Sequence, residues 1–410
     1  MGTVAVAISL FALPNNLNLR PPKPCLGAKL AVKLTFDARE KALLVDEPES
    51  VSSLARGFYG EMKKGVIYLT PEEALYLIDI RNGFCTDTAL NILKFNDVAA
   101  QFEKDIPKLM ARYHTFKDWR DRGLIARPIS EAQGKHGRNP VKKYPPGKFS
   151  PPKYSVQGLF FPEDLTTVID DESVGRELYS RYWLGQFGSY KAEQRGKISK
   201  LDAYETLFMM KHCGLGLKNA SKADVARLAK KRRPDFLAMY EVYEDWRLRG
   251  YVLKTGFKFG THFRLYLPGA SPTKDPDEWV HSKHVIHIFP RAAKMLISEW
   301  ARAIRVAHSV KKTFILAIPG RSGKKRLKLE PDFLLYHRKQ GGIETPKEDR
   351  PHFIMLSLSE EEYIGGTELA GAIEQAKKLG LDLILAIADR ETSVTYYRVR
   401  RVELPGSPYE

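Results

Sequence analysis

Tyr113-His114-Thr115-Phe116-Lys117-Asp118-Trp119-Arg120-Asp121-Arg122-Gly123 recurs 127 residues later as Tyr240-Glu241-Val242-Tyr243-Glu244-Asp245-Trp246-Arg247-Leu248-Arg249-Gly250. Upstream of each copy stand an aromatic-Gly turn (Tyr59-Gly60 and Phe187-Gly188), a helical stretch (71–80 and 200–211), and a second helix that ends in D-W-R-x-R-G. The order of features survives with the residues, so the chain carries a duplicated unit. A shorter echo links Phe314-Ile315-Leu316-Ala317-Ile318 to Leu383-Ile384-Leu385-Ala386-Ile387, each preceded by a helical stretch (291–310 and 368–379). Five apolar residues describe any buried strand, so this second repeat is the weaker sign of common origin.

Working outward, the repeats predict a complete central unit at 154–345, flanked by a copy of its first half within 1–153 and a copy of its second half within 346–410. The two flanks could together compose a further unit. Within the central unit, 154–250 reads as an N-terminal subdomain and 251–345 as a second one. Pro140, Pro145, Pro146, Pro151 and Pro152 exclude regular helix from the basic stretch 135–153, which reads as a linker. Residues 341–351 read as the second separator. Alternation of Val285 and His287 against Ile286 and Ile288, and the run 394–402, predict strands, giving an α+β fold class. The terminal run 394–404 is expected to pair with another unit, within the chain or across a dimer.

A chain of 410 residues exceeds one ordinary core, and 43% hydrophobic with 28% charged residues is a globular composition. Sixty-six Lys and Arg against forty-nine Asp and Glu give a net charge of +17, which points to a polyanionic partner and favours nucleic acid. The three cysteines, Cys25, Cys85 and Cys213, form no C-x-x-C pair; neither a disulfide framework nor a zinc ribbon is expected, and a reducing cytoplasm fits. The apolar run 4–13 is too short to span a bilayer and has no basic residue before it, so it reads as an unstructured leader.

The chemistry lies in three separated stretches. These are Gly256-Phe257-Lys258-Phe259-Gly260-Thr261-His262-Phe263-Arg264-Leu265-Tyr266, Val280-His281-Ser282, and Arg305-Val306-Ala307-His308-Ser309-Val310-Lys311-Lys312. In family order and spacing they closely resemble the tRNA-splicing endonuclease family: a G-x-K-F-G-x-x-F-x-x-Y segment, a His opening the next strand, and a Lys two residues after Ser-Val at a helix end. The resemblance implies tandem units, each with a helical, small-sheet N-terminal subdomain and a restriction-nuclease-like catalytic subdomain. It assigns Tyr266 as the base for the ribose 2'-hydroxyl, His281 as the acid for the leaving 5'-oxygen, and Lys312 as the cation beside the pentacoordinate phosphorus. RNA supplies its own nucleophile, so proton transfer and charge stabilisation suffice, without a cofactor or metal. Products would be 2',3'-cyclic phosphate and 5'-hydroxyl ends. A free phenol is only about 0.1% ionised at pH 7, so Tyr266 needs a cationic setting, to which Lys312 could contribute.

The resemblance also places Arg305 where an arginine stacks on a bulged base from a partner unit, its companion being either Arg326 or Arg338. Leu381 falls where Lys312 stands, and no suitably spaced Tyr and His pair follows Gly123, leaving one active group per chain. Cutting a bulge-helix-bulge precursor tRNA at both bulges would then need a homodimer, in the three-unit form of the archaeal family members. His281 and His284 point to opposite faces of a strand, which argues against metal ligation; His308 and Lys311 are expected on the solvated end of a helix. Seven residues separate Gly188 from Gly196 where four separate Gly60 from Gly65, and the extra length carries Lys191 and Arg195, candidates for gripping phosphate. The rival readings are a non-catalytic RNA-binding or assembly subunit, and a metal-dependent nuclease suggested by Pro331-Asp332.

Overall fold

The repeated D-W-R-x-R-G ends are built alike, and each letter has a physical job. In the computed structural model, which describes residues 3–11, 31–137, 141–275, 278–320 and 329–405, the copies close helices α2 (Leu109–Asp121) and α4 (Phe236–Leu248). Trp119 and Trp246 are fully buried core residues. Asp118 pairs with Arg122 at 2.7 Å and Asp245 with Arg249 at 2.9 Å, one helical turn apart. Arg120 donates to the Gly57 carbonyl and Arg247 to that of Tyr182, tying each helix to the end of an earlier one. Gly123 and Gly250 take φ values of +74° and +87°, the left-handed turn that ends the helix.

Each of these helices packs with an earlier one, α1 (Pro71–Ile80) or α3 (Ala203–Phe208). Both earlier helices open with a capping box, Thr70 with Glu73 and Asp202 with Glu205. Glu73 pairs with Arg127 at 3.2 Å and Glu205 with Lys254 at 2.6 Å, so in both copies the capping glutamate also anchors its subdomain to the main sheet. Each subdomain has a small sheet of its own, six strands in the first and five in the second.

The main sheet has ten strands in one path: β1 (Val4–Leu10), β2 (Ile125–Pro128), β3 (Val252–Thr255), β4 (Phe263–Tyr266), β5 (His284–Ile288), β6 (Thr313–Ile318), β7 (Phe333–Tyr336), β8 (Phe353–Ser359), β9 (Asp382–Ala388) and β10 (Val394–Glu403). Their order is β3-β4-β5-β6-β1-β10-β9-β8-β7-β2, with Lys142–Lys143 added beside β10. Read from either end the pattern is the same: two antiparallel pairings, one parallel pairing, then antiparallel to the centre. Helices α5 (Ile297–Ser309) and α6 (Gly366–Leu379) are the crossovers that the two parallel pairs require, and they contribute to one shared core over the middle of the sheet.

Three expectations change here. The run 4–13 is no leader up to Leu10: β1 pairs with β6 and β10 at the centre of the sheet, with Val6 and Ile8 buried. A strand covered on both faces is apolar throughout and so lacks the alternation that identifies a strand. The boundary at 345 does not follow the hydrogen bonding, because β7 pairs with β2 and β8, and 341–351 lies between those two sheet strands. The described part of the proline-rich stretch is non-helical as expected but pinned: Tyr144 donates its amide to Glu403, and Pro145 accepts from the Tyr251 hydroxyl. The run 394–404 does pair as a strand, within the chain. Cys25 lies outside the described residues, and no described helix is long and apolar enough to cross a membrane.

Candidate active site

Three strand ends meet at one place. β5 and β6 are parallel neighbours, with His284 opposite Thr313, so His281 and Ser282 before one strand stand beside Lys312 before the other. Leu265 of β4 lies opposite His284, which brings Tyr266, the last residue of its strand, to the same end of the sheet. Lys312 is fixed in this place by the end of α5: its amide donates to Ala307 at 2.9 Å, and Lys311 before it turns at φ +54°.

Tyr266 and His281 line a cavity of about 330 Å³ together with Trp183, Tyr190, Lys191, Lys254 and Arg264. The Tyr266 ring packs on Trp183 at 4.5 Å between centroids, and its buried hydroxyl faces the side chains of Arg264 and Ser282, both of which favour its ionised form. Burial raises its pKa above the ordinary phenol value, and the positive charge of Arg264 opposes that rise. The cation that acts most strongly on Tyr266 is therefore Arg264, which the sequence reading had not considered. Arg264 is held by a 2.8 Å bond from its Nε to the Thr255 carbonyl, with its guanidinium 5.8 Å from the Tyr266 ring centroid.

Lys312 does not line this cavity; it is tied to Ser282, the residue that follows His281. Its ammonium donates to the Ser282 carbonyl and, at 3.3 Å, to the Ser282 hydroxyl, and stands 4.8 Å from the Phe259 ring centroid. Burial, followed by the charge of Arg264, lowers its pKa. Ser282 is itself buried and also lies close enough to Tyr266 to favour its ionised form. Sequence reasoning gave neither Arg264 nor Ser282 a role. Arg264 was findable, since residues two apart on a strand share a face.

The other candidates scatter. Lys191 lines the cavity; Arg195, on the same loop, is exposed and does not. Arg305 is exposed on α5, where its charge acts on Tyr397 of β10, away from the Tyr266 cavity. Arg326 lies outside the described residues, and Arg338 donates to the Arg122 carbonyl in the opposite half of the sheet. His308 is exposed but not merely solvated, because its Nε2 accepts from the Leu10 amide at 3.3 Å. Asp332 is buried, accepting from the Ser357 amide at 2.7 Å and pairing with Arg112. The Glu205–Lys254 pair on the cavity wall is the subdomain anchor described above. A larger cleft, about 720 Å³, opens at Val51, Phe58 and Met62, where no tyrosine or histidine lines it.

The mirror half of the sheet keeps only part of this arrangement. Tyr336 lies opposite Ile125 as Tyr266 lies opposite Val252. By the same register Arg350 falls where His281 stands, and Leu381 where Lys312 stands. The tyrosine was hidden because more than 200 residues separate it from its partner strand β2.

The model of the tRNA intron endonuclease catalytic C-terminal domain matches residues 236–327, and that of the N-terminal domain of the same family matches residues 38–82. A tRNA-splicing endonuclease of Methanopyrus kandleri is 34% identical over 134 residues, 32% of this chain and 71% of the relative. The chain belongs to the tRNA-splicing endonuclease family. A family member from Methanococcoides burtonii is 26% identical over 325 residues, covering 64% of this chain and 89% of its own. One from Pyrococcus furiosus is 33% identical over 135 residues, 32% of this chain and 74% of its own length. All of Tyr266, His281 and Lys312 fall inside the stretch that matches the family's catalytic domain.

Proposed function

We propose that this chain removes introns from precursor tRNA by endonucleolytic cleavage, and that the cut is made in the cavity lined by Tyr266 and His281. In this reading Tyr266 takes the proton of a ribose 2'-hydroxyl, the resulting oxyanion attacks the adjacent phosphorus, and His281 protonates the departing 5'-oxygen. Lys312 neutralises charge on the phosphorane, exchanging its bonds to Ser282 for phosphate oxygens. The observation that carries the reading is a buried tyrosine, its ionised form favoured by Arg264 and Ser282, in a cavity that also takes His281.

The sheet supports a composite organisation. Residues 154–320 with β1 form the catalytic unit, and 33–128 with 329–403 form a second, inactive one. With one complete group per chain, two cuts on a bulge-helix-bulge RNA call for a homodimer. In that dimer Arg305, outside its own chain's cavity, reaches the bulge held by the partner.

The test is cleavage of an intron-containing precursor tRNA in EDTA, with the new ends identified. The reading expects full cutting, 2',3'-cyclic phosphate and 5'-hydroxyl ends. EDTA-sensitive cutting that left 3'-hydroxyl and 5'-phosphate ends would replace it with a metal-dependent nuclease.

A further inference from the structure

One aromatic side chain at the cavity mouth has no role in the scheme above. Tyr190 is 59% exposed and lines the same cavity as Tyr266 and His281. Two ammonium groups approach its ring, Lys258 at 5.3 Å and Lys191 at 5.9 Å from the centroid. Lys258 belongs to the tight turn Phe257–Phe259, whose next residue, Phe259, carries the Lys312 ammonium over its ring. Tyr190 and Lys312 are thus held against adjacent residues of a single turn, which sets Tyr190 beside the place where the phosphate would sit.

The loop that carries Tyr190 is built to be stiff. The Ser189 hydroxyl donates to the Arg195 carbonyl at 3.0 Å, Ser189 bridges Ala192, and the Gln186 amide donates to the Phe187 carbonyl at 2.9 Å. Gly188, at φ +57°, lets the two arms close: a Cβ there would lie 2.2 Å from the Glu193 carbonyl oxygen. The corresponding loop of the first repeat reads Glu61-Met62-Lys63-Lys64, with no aromatic residue. An exposed tyrosine between two lysines thus occurs in the repeat that holds Tyr266, His281 and Lys312 and is missing from the other.

We propose that Tyr190 is a stacking platform for an unpaired nucleobase next to the phosphate that is cut, with Lys258 and Lys191 on the phosphates that flank that base. Every base has a face that an aromatic ring can cover, so the contact is tolerant of sequence and demands only that the nucleotide be unstacked from its helix. The inference rests on the cleavage reading and adds to it a positioning residue that holds the strand in place while Tyr266 and His281 act.

The test measures binding, by fluorescence anisotropy, of a bulge-containing RNA with a 2'-deoxyribose at the cleavage position, and single-turnover cleavage of the matching all-ribose RNA. Tyr190→Leu should weaken binding roughly tenfold, and Tyr190→Phe should restore it. An abasic nucleotide at the unpaired position next to the cut should cost the wild-type chain the same factor and add nothing to Tyr190→Leu. A full abasic penalty that persisted in Tyr190→Leu, or wild-type affinity in that variant, would overturn the proposal. If the variant failed to fold, judged by its thermal unfolding midpoint, the wild-type chain alone decides: no penalty from the abasic nucleotide overturns it. Because binding is read separately, a wild-type chain that bound RNA but cut nothing would count against the cleavage reading and leave the stacking contact standing.

Discussion

Arg264 stands two residues before Tyr266 on one strand, and its charge acts on two of the groups in the cleavage scheme, Tyr266 and Lys312. It favours the ionised phenol of Tyr266, lowering that pKa against the effect of burial, and it disfavours the charged form of Lys312. Removing it raises both. If Tyr266 must lose a proton to act as the base, Arg264→Met should move the limb of the pH–rate profile that Tyr266 sets to higher pH, with a lower rate at neutrality. A profile that lost height without moving would mean that Arg264 serves the fold and leaves the titration alone. At this scale the candidate residues were legible as a motif and the electrostatics around them were not. Tyr266, His281 and Lys312 stand in a recognisable order along the chain. The identity of the cation nearest the phenol depends on which side chain the Thr255 carbonyl anchors, and that is a fact of packing.

The two repeats show how a duplicated element is told apart from its copy. Along α1 and α2, Asp79 pairs with Lys117 at 3.4 Å, and Tyr113 donates its hydroxyl to the same aspartate. Along α4 and the π-helical turn Met209–Cys213 the charges are exchanged, with Lys211 on Glu244 at 2.8 Å and Tyr240 again donating to the acid. Docking a helix on the wrong partner would set Asp79 against Glu244 and Lys211 against Lys117, so the swap favours correct pairing. Glu244 is buried, which alone would raise its pKa, but bonds from His212, Lys211 and Tyr240 win and hold it at about 2. A depressed carboxyl pKa stabilises the fold above its unfolded value near 4.5, and that stability is lost as pH falls through about 2. Glu244→Gln should therefore cost about 1–3 kcal/mol at pH 7 by chemical denaturation, with the gap to wild type closing between pH 4.5 and 2. A gap independent of pH would show that the hydrogen bonds matter and the charge does not. The helices could be read from the sequence, because the repeated order of features and D-W-R-x-R-G are local signals. The charge swap needed the two copies to be superposed in space.

The whole molecule is a sheet with the same pattern from both ends, closed at its centre by the first and last strands of the described chain. Its topology was the least legible feature, because β1 and β10 are nearly 400 residues apart and β1 shows no alternation. The placement makes a direct prediction. Ile8, 1% exposed in the core shared with α5 and α6, should cost about 2–5 kcal/mol on substitution by Ala, read as a lower denaturation midpoint. In an unstructured leader the same change would fall within about 0.5 kcal/mol of zero. The sheet also carries the functional claim, since β4, β5 and β6 bring Tyr266, His281 and Lys312 to one end although 45 residues of chain separate the first from the last. The most direct test of that claim is single-turnover cleavage of an intron-containing precursor tRNA by His281→Ala, with affinity for the RNA and the thermal unfolding midpoint measured on the same protein. We expect cleavage to fall by roughly 10² or more while affinity and midpoint stay at wild-type values. Undiminished cleavage by the variant would place the cut elsewhere and contradict the account.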